Sequence, residues 1–316
     1  MMLGKLQERN KTDMAHGNSI TLSARAKINL YLDILSRREN GYHNILSIMQ
    51  SLALCDTVTL TALPAGSGIC VETNISALPT DRRNLAYRAA EKFGEVIGYL
   101  PDVLIQITKQ IPMSAGLAGG SADAAAVLRG LNLLCNTNLS QERLCELGAT
   151  LGADIPFCIA GGAMITEGIG EILTPCDGLP EDQWLVIACG GEGVSTPDAY
   201  RALDEAHGNF AVPHAPDPRF ALLKTALSAG DTATAGDNMY NIFEEIVLPS
   251  HSVAAKLIAD MRASGAQRAM MSGSGPSVFG LFATKEMAEE AAQRIERTLG
   301  IRAYVTHPTP VQSNEV

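Results

Sequence analysis

Aromatic side chains are scarce in this sequence, at 5% of 316 residues, and charged ones reach only 18%. Basic residues are the minority charge: 24 Lys and Arg stand against 34 Asp and Glu, for a net charge of −10. The densest basic runs are the pairs Arg37-Arg38 and Arg82-Arg83. A protein that grips nucleic acid through its phosphates carries a basic face, so nucleic acid is excluded as a partner. An anionic small molecule would have to be held locally, by backbone N–H groups and one or two lysines. No apolar run reaches the ~18 residues of a membrane span; the longest candidate, Ala115 to Cys135, carries Asp123, Arg129 and several glycines. Residues 1–18 are polar, lack the apolar core of a signal peptide, and read as a disordered tail or leader. The seven cysteines include no C-x-x-C pair, which excludes the common zinc and redox spacings. They are expected to be reduced, buried thiols of a cytoplasmic protein. Also missing are the P-loop G-x-x-x-x-G-K-[ST], a G-x-G-x-x-G turn after a strand, the G-x-S-x-G elbow and H-E-x-x-H.

Apolar residues make up 46% of the chain, enough to build a real core, and the length is about twice a typical domain. Ser19 to Leu35 alternates as a strand and ends at the turn signal Glu39-Asn40-Gly41. Ile45–Ala53, Asp56–Ala62 and Pro101–Ile111 read as further strands, and Asn84–Val96 as a helix with Leu85, Ala89, Ala90 and Phe93 on one face. Helices are expected over 121–134 and, capped by Ser140, over 141–151. Beyond a Pro/Gly-rich stretch at 175–183 come a strand (Trp184–Cys189), a helix from Pro197 and a surface loop over 207–220. A helix (Ser250–Ser264), strands at 267–271 and 277–283, a helix (Lys285–Leu299) and a last strand (Ile301–Thr306) complete the reading. This irregular order, with hairpins in the first third, defines an α+β class, divided into residues 19–178 and 179–310.

Three segments carry chemistry. Pro112-Met113-Ser114-Ala115-Gly116-Leu117-Ala118-Gly119-Gly120-Ser121 lies between a strand and a helix. Glycines there allow left-handed turns and close approach of a ligand to the main chain, and the following helix offers unpaired N–H groups and the positive end of its dipole. This is a phosphate cradle that needs no basic residue; read blandly, it is a flexible Gly/Ala turn. Ser121 and Asp123 fall in the first helical turn, where either could cap the helix. The second segment, Ala26-Lys27-Ile28-Asn29-Leu30, sets a lysine in an apolar strand. The third, Gly152-Ala153-Asp154-Ile155-Pro156, sets an aspartate in a tight loop. Separately they are an edge-strand lysine and a turn aspartate. Facing each other across a pocket, they would be a charge-compensated catalytic pair.

Four blocks together resemble the GHMP kinases, the relatives of galactokinase, homoserine kinase, mevalonate kinase and phosphomevalonate kinase. They are Ala26–Leu30 with Arg38-Glu39-Asn40-Gly41-Tyr42-His43, the glycine loop, Leu151–Pro156, and Met271-Ser272-Gly273-Ser274-Gly275-Pro276-Ser277, covering residues 20–306. The galactokinase run Gly-Arg-x-Asn-Leu-Ile-Gly-Glu-His is absent. Two departures stand in the loop region: Ala118 where the family often has Gly, and Ala122 where Ser is frequent.

The resemblance implies an N-terminal mixed-sheet ATP-binding domain and a C-terminal ferredoxin-like α/β sandwich. It implies ATP phosphates over Gly116–Ser121, with Pro112–Ala122 and Asn84 as the ATP-binding set. Asp154 would be the base that takes the proton of the acceptor hydroxyl, and Lys27 its charge partner. Mg2+ would be held by phosphates and water, with Ser121 the one side chain in question. The Gly-Tyr-His block points to an acceptor with a cytidine diphosphate tail, a methylerythritol phosphorylated on its 2-hydroxyl in non-mevalonate isoprenoid synthesis. Asn29, Tyr42, His43, Asp154 and Tyr200 would bind it. The expected assembly is a monomer or weak homodimer. Alternatives are a homoserine- or mevalonate-type kinase and a catalytically silent nucleotide sensor.

Overall fold

A computed structural model of the chain describes residues 17–113 and 115–311; the tail expected over 1–18 falls outside these save for Gly17 and Asn18, which hydrogen-bond to Ala62. Strands β1 (Ser19–Arg37) and β2 (His43–Ala62) form one long antiparallel hairpin. The two strands expected over 45–62 are thus one, continuous across a register shift in which the pairing passes from Arg25 with Cys55 to Lys27 with Ser51. Gly41, at the turn, has φ +86°, which glycine takes without strain. Next come β3 (Ile69–Thr73), α1 (Leu85–Ile97), β4 (Val103–Thr108), α2 (Gly119–Leu134), α3 (Gln141–Ala149), α4 (Ile155–Ala160), β5 (Ala163–Gly168) and β6 (Ile172–Pro175). The second half holds β7 (Trp184–Ala188), α5 (Thr196–Ala206), α6 (Arg219–Ser228), α7 (Thr232–Asn238), β8 (Tyr240–Asn241), α8 (Glu244–Val247), α9 (Ser252–Ala263), β9 (Arg268–Met271), β10 (Val278–Phe282), α10 (Lys285–Leu299) and β11 (Ala303–Thr306). The expected surface loop over 207–220 also holds a 3-10 turn, and its Phe210 is buried.

The first sheet runs β3-β4-β2-β1-β8, with β5 on the first half of β2 and β6 beyond it. It is mixed, because β3–β4 and β1–β8 are parallel pairs. The second sheet is antiparallel in the order β11-β7-β10-β9, the β-α-β-β-α-β arrangement of ferredoxin-like folds. Three apolar clusters fill the molecule, and β1 contributes to each: Leu22 and Ala24, then Ile28 and Leu30, then Leu32 and Ile34. Residues 26–34 of β1 are buried on both faces, although their sequence alternates as that of a half-exposed strand does, with Lys27, Asn29 and Asp33 among the buried positions. Register shifts between Arg25 and Lys27 and between Asn29 and Tyr31 break the pairing around Lys27 and Asn29. Such irregularities re-aim side chains.

After β11, residues 307–311 return to the first sheet. Ala53 N–H donates to His307 O (2.9 Å), and Thr309 N–H donates to Ser51 O (3.0 Å). No helix of the described residues is long and apolar enough to cross a membrane.

Candidate active site

A cleft of about 1290 Å³ opens between the two sheets, lined by Lys27, Asn29, the loop before α2, Asp154, the start of α5 and the Gly273–Gly275 turn. The loop is fastened from below. Lys27 N–H donates to Leu117 O (3.1 Å), and the Ser272 hydroxyl donates to Gly116 O (3.4 Å). Gly116 has φ +73°, and a Cβ there would collide with the Ser272 carbonyl oxygen; the close approach of two loops requires glycine here. Ala118 sits at the N-cap of α2 in the left-handed region (φ 57°, ψ 28°) and no side chain caps the turn. The family's usual glycine at that position has its physical reason in this angle. Ala122 N–H makes the first helical bond, to Ala118 O (2.8 Å), so the N–H groups of Gly119, Gly120 and Ser121 precede it and face the cleft with the positive end of the dipole.

Most of the loop residues expected at the nucleotide do line the cleft: Pro112, Met113, Ala115, Gly116, Ala118, Gly119, Gly120 and Ser121, with Asn84 at its rim. Asn84 also caps α1, its side chain accepting from Ala86 N–H at 2.9 Å. Leu117 and Ala122 are each 1% exposed and their side chains belong to the apolar clusters, where they anchor the loop from behind. Ser114 lies outside the described residues. Neither Ser121 nor Asp123 caps α2.

Lys27 and Asn29, two apart on β1, point the same way, and the Lys27 ammonium donates to Asn29 Oδ1 at 2.7 Å. Asn29 Nδ2 in turn donates to the Ser47 hydroxyl (2.8 Å). Lys27 is therefore buried (4% exposed) but oriented. Asp154 occupies the N-cap position of α4 and makes no capping hydrogen bond, so its carboxylate is uncommitted. Lys27 and Asp154 line the same cleft, and among the described residues no ion pair within 4.0 Å joins them. Both charges nonetheless reach the buried Cys158 thiol beneath them. Burial pushes that thiol up, Asp154 pushes it further, and Lys27 pulls it back.

At the far end, Tyr42 stands 59% exposed on the rim, while His43 is buried. Tyr200 stacks on the His43 ring (centroids 4.8 Å apart, planes at 23°) and meets the edge of Phe243 at 5.0 Å. Burial, with the nearby Asp154 charge, pushes the Tyr200 hydroxyl up to about 12. One face of Tyr200 is thus already covered by His43.

The sequence reading missed two groups. Lys109 bridges Asp56 and Asp123 (2.7 Å to the latter) behind the glycine loop, all three nearly buried. Burial outweighs the attraction of Lys109 and pushes Asp123 up to about 7; its Oδ1 has no partner. The other group is Asp204, which accepts from His43 Nε2 at 2.7 Å and pairs with Arg37 at 3.3 Å. A lysine at the strand end before the loop was the visible signal for the first. The second had none, since 161 residues separate His43 from Asp204.

An uncapped helix N-terminus and an uncommitted aspartate share one cleft, and comparison with known proteins assigns the class of this site. The models of the GHMP kinases N-terminal domain and C-terminal region match residues 84–162 and 223–301. The chain is 43% identical over 276 residues to the 4-diphosphocytidyl-2-C-methyl-D-erythritol kinase of Alkaliphilus metalliredigens, covering 87% of this chain and 92% of the relative. It is 42% identical to the protein of that name from Geobacillus thermodenitrificans, over 83% of this chain and 88% of the relative. A crystal structure of a 4-(cytidine 5'-diphospho)-2C-methyl-D-erythritol kinase superposes with TM-score 0.76 at 33% identity, covering 92% of this chain and 99% of that one. The chain belongs to the GHMP kinases. It is a small-molecule kinase that transfers phosphate from ATP to an alcohol.

Proposed function

We propose that this kinase phosphorylates the 2-hydroxyl of 4-diphosphocytidyl-2-C-methyl-D-erythritol, as a cytoplasmic step of non-mevalonate isoprenoid synthesis. The relatives named for that activity at 42–43% identity support the choice of acceptor. The observation that carries the mechanism is Asp154, an N-cap aspartate that caps nothing and faces the cleft. The triphosphate lies over the N–H groups of Gly119, Gly120 and Ser121, where the helix end stabilises its charge. The acceptor oxygen attacks the γ-phosphorus, its proton passes to the Asp154 carboxylate, and the bond to the β-phosphate oxygen breaks to release ADP. Phosphoryl transfer has a loose transition state, so the proton can leave late and a strong base is not needed. Lys27, held by Asn29, offsets charge on the transferring group.

Among the described residues no group of three or more His, Cys, Asp or Glu side chains could hold a metal ion. The Ser121 hydroxyl and the unpartnered Asp123 Oδ1 lie at the loop. They suit a magnesium ion bound mainly by phosphate and water, which would neutralise the phosphate oxygens. At the rim, Tyr42 offers a free aromatic face for a cytosine.

Release of ADP with Mg-ATP and a panel of alcohols tests this reading. Turnover is expected with 4-diphosphocytidyl-2-C-methyl-D-erythritol and not with mevalonate, homoserine, galactose or water. Turnover with another alcohol alone would overturn the choice of acceptor.

A further inference from the structure

The His43–Asp204–Arg37 chain is more than packing. The His43 ring is 7% exposed, with Tyr200 stacked on it and the Phe210 edge 5.9 Å away. Its position is set, and the placement of its proton is the remaining variable. Nε2 faces Asp204 Oδ1 at 2.7 Å. Asp204, also 7% exposed, has its other oxygen 3.3 Å from Arg37 Nη1. A carboxylate only accepts and a guanidinium only donates, so Nε2 carries a hydrogen and donates it to Asp204. Arg37 balances the charge of that carboxylate. In that tautomer Nδ1 keeps a lone pair, and among the described residues it makes no hydrogen bond. His43 lines the cleft beside Tyr42.

We propose that Asp204, steered by Arg37, is a positioning residue that fixes the His43 tautomer and thereby makes the acceptor site select cytosine over uracil. A lone pair on Nδ1 accepts from the exocyclic amine of cytosine. Uracil presents a carbonyl oxygen at the corresponding position, so two acceptors would face each other in a nearly dry site. An unsatisfied buried acceptor weakens binding by at least about tenfold, and a site built around a specific donor rejects its analogue more strongly still. The inference rests on the cytidine-linked acceptor proposed above.

The test is Asp204→Asn. Arg37 Nη1, which also donates to Asn209 Oδ1 (3.3 Å), is a cation 3.3 Å from the Asp204 oxygen, so the variant's amide turns its Oδ1 toward Arg37 and its nitrogen toward His43 Nε2. Two donors cannot face each other, and the ring proton moves to Nδ1. An Asp-to-Asn change that leaves geometry intact and selects the wrong tautomer has a known precedent in the serine protease triad. Kinetics with the CDP-linked acceptor and its UDP-linked counterpart are measured in both proteins. Wild type should favour the CDP compound through KM by about 10² or more. In Asp204→Asn the CDP compound should lose at least about tenfold in KM and the UDP compound should gain, with the KM for ATP unmoved. Equal weakening toward both bases, or unchanged discrimination, would overturn the inference while leaving the kinase reading intact. No turnover of the CDP compound by wild type would overturn both. Nitrogen-15 NMR of the wild-type His43 ring answers the same question without a variant. A protonated Nε2 with a bare Nδ1 supports the inference, and a protonated Nδ1 overturns it.

Discussion

Tyr42 and Tyr200 are both tyrosines of the acceptor end, and Tyr42 is the more open of the two. It is 59% exposed, whereas Tyr200 is stacked on His43. Loss of a stacking aromatic costs on the order of 1–3 kcal/mol per base. Tyr42→Ala should therefore raise the KM for the acceptor about tenfold or more and leave that for ATP within about twofold; steady-state kinetics with each substrate varied in turn will show the split. An equal rise in both would remove the stacking role. Lys27 and Asp154 were legible in the sequence because a charge inside an apolar segment is costly and so stands out. Asp204 was not, because its partner His43 lies 161 residues away and nothing local marks it; Lys109 did carry a local signal, its place at the strand end before the loop. Leu117 and Ala122 sit among glycines and small residues, where sequence alone cannot tell a core-facing position from a ligand-facing one.

The glycine loop and α2 work as one element, and its glycines serve different ends. At Gly116 a methyl would strike the Ser272 carbonyl and φ is +73°. At Gly120 the nearest atom to an added Cβ is Leu85 Cδ1 at 3.7 Å. Overpacking typically costs about 1–3 kcal/mol, and a left-handed non-glycine residue about 1–2 more. Gly116→Ala should lower the melting temperature by several degrees and weaken ATP binding together. Gly120→Ala should leave the melting temperature within about 1 °C, because no overlap arises, and weaken ATP binding alone. Thermal denaturation with and without nucleotide distinguishes them. Periodicity found the longer helices and the hairpin, but the short strands β3, β5, β6 and β8 and the helices α4, α6, α7 and α8 escaped. Strand β5 is a buried apolar run whose pairing with β2 is nonlocal, and α6 has no distinct apolar stripe, so neither shows a clear period.

Over the whole molecule, Gln50 ties the parts that the catalytic cleft needs in register. It is 2% exposed; its Nε2 donates to Ser51 O, Gly162 O and Thr309 O, and its Oε1 accepts from Leu179 N–H at 3.1 Å. The β1–β2 hairpin, the α4–β5 turn, the linker to β7 and the C-terminal return thus meet at one amide. Gln50→Ala would strand several buried polar groups, at about 1–3 kcal/mol for each left unsatisfied. Calorimetry should show a lower melting temperature by about 5 °C or more. Turnover at 25 °C should stay within about threefold, since Gln50 lies outside the cleft. An unchanged melting temperature would show that water takes over these bonds. The α+β class could be read from the order of elements and the two sheets were implied by the family resemblance, but this knot could not be read, because it joins four distant segments. The central claim is that one cleft holds ATP over α2 and presents the acceptor hydroxyl to Asp154. Single-turnover phosphoryl transfer by Asp154→Asn, with ATP affinity measured calorimetrically on the same sample, tests it most directly. The account predicts a rate lower by on the order of 10²–10⁴ with ATP affinity within about threefold of wild type; a near-wild-type rate would contradict it.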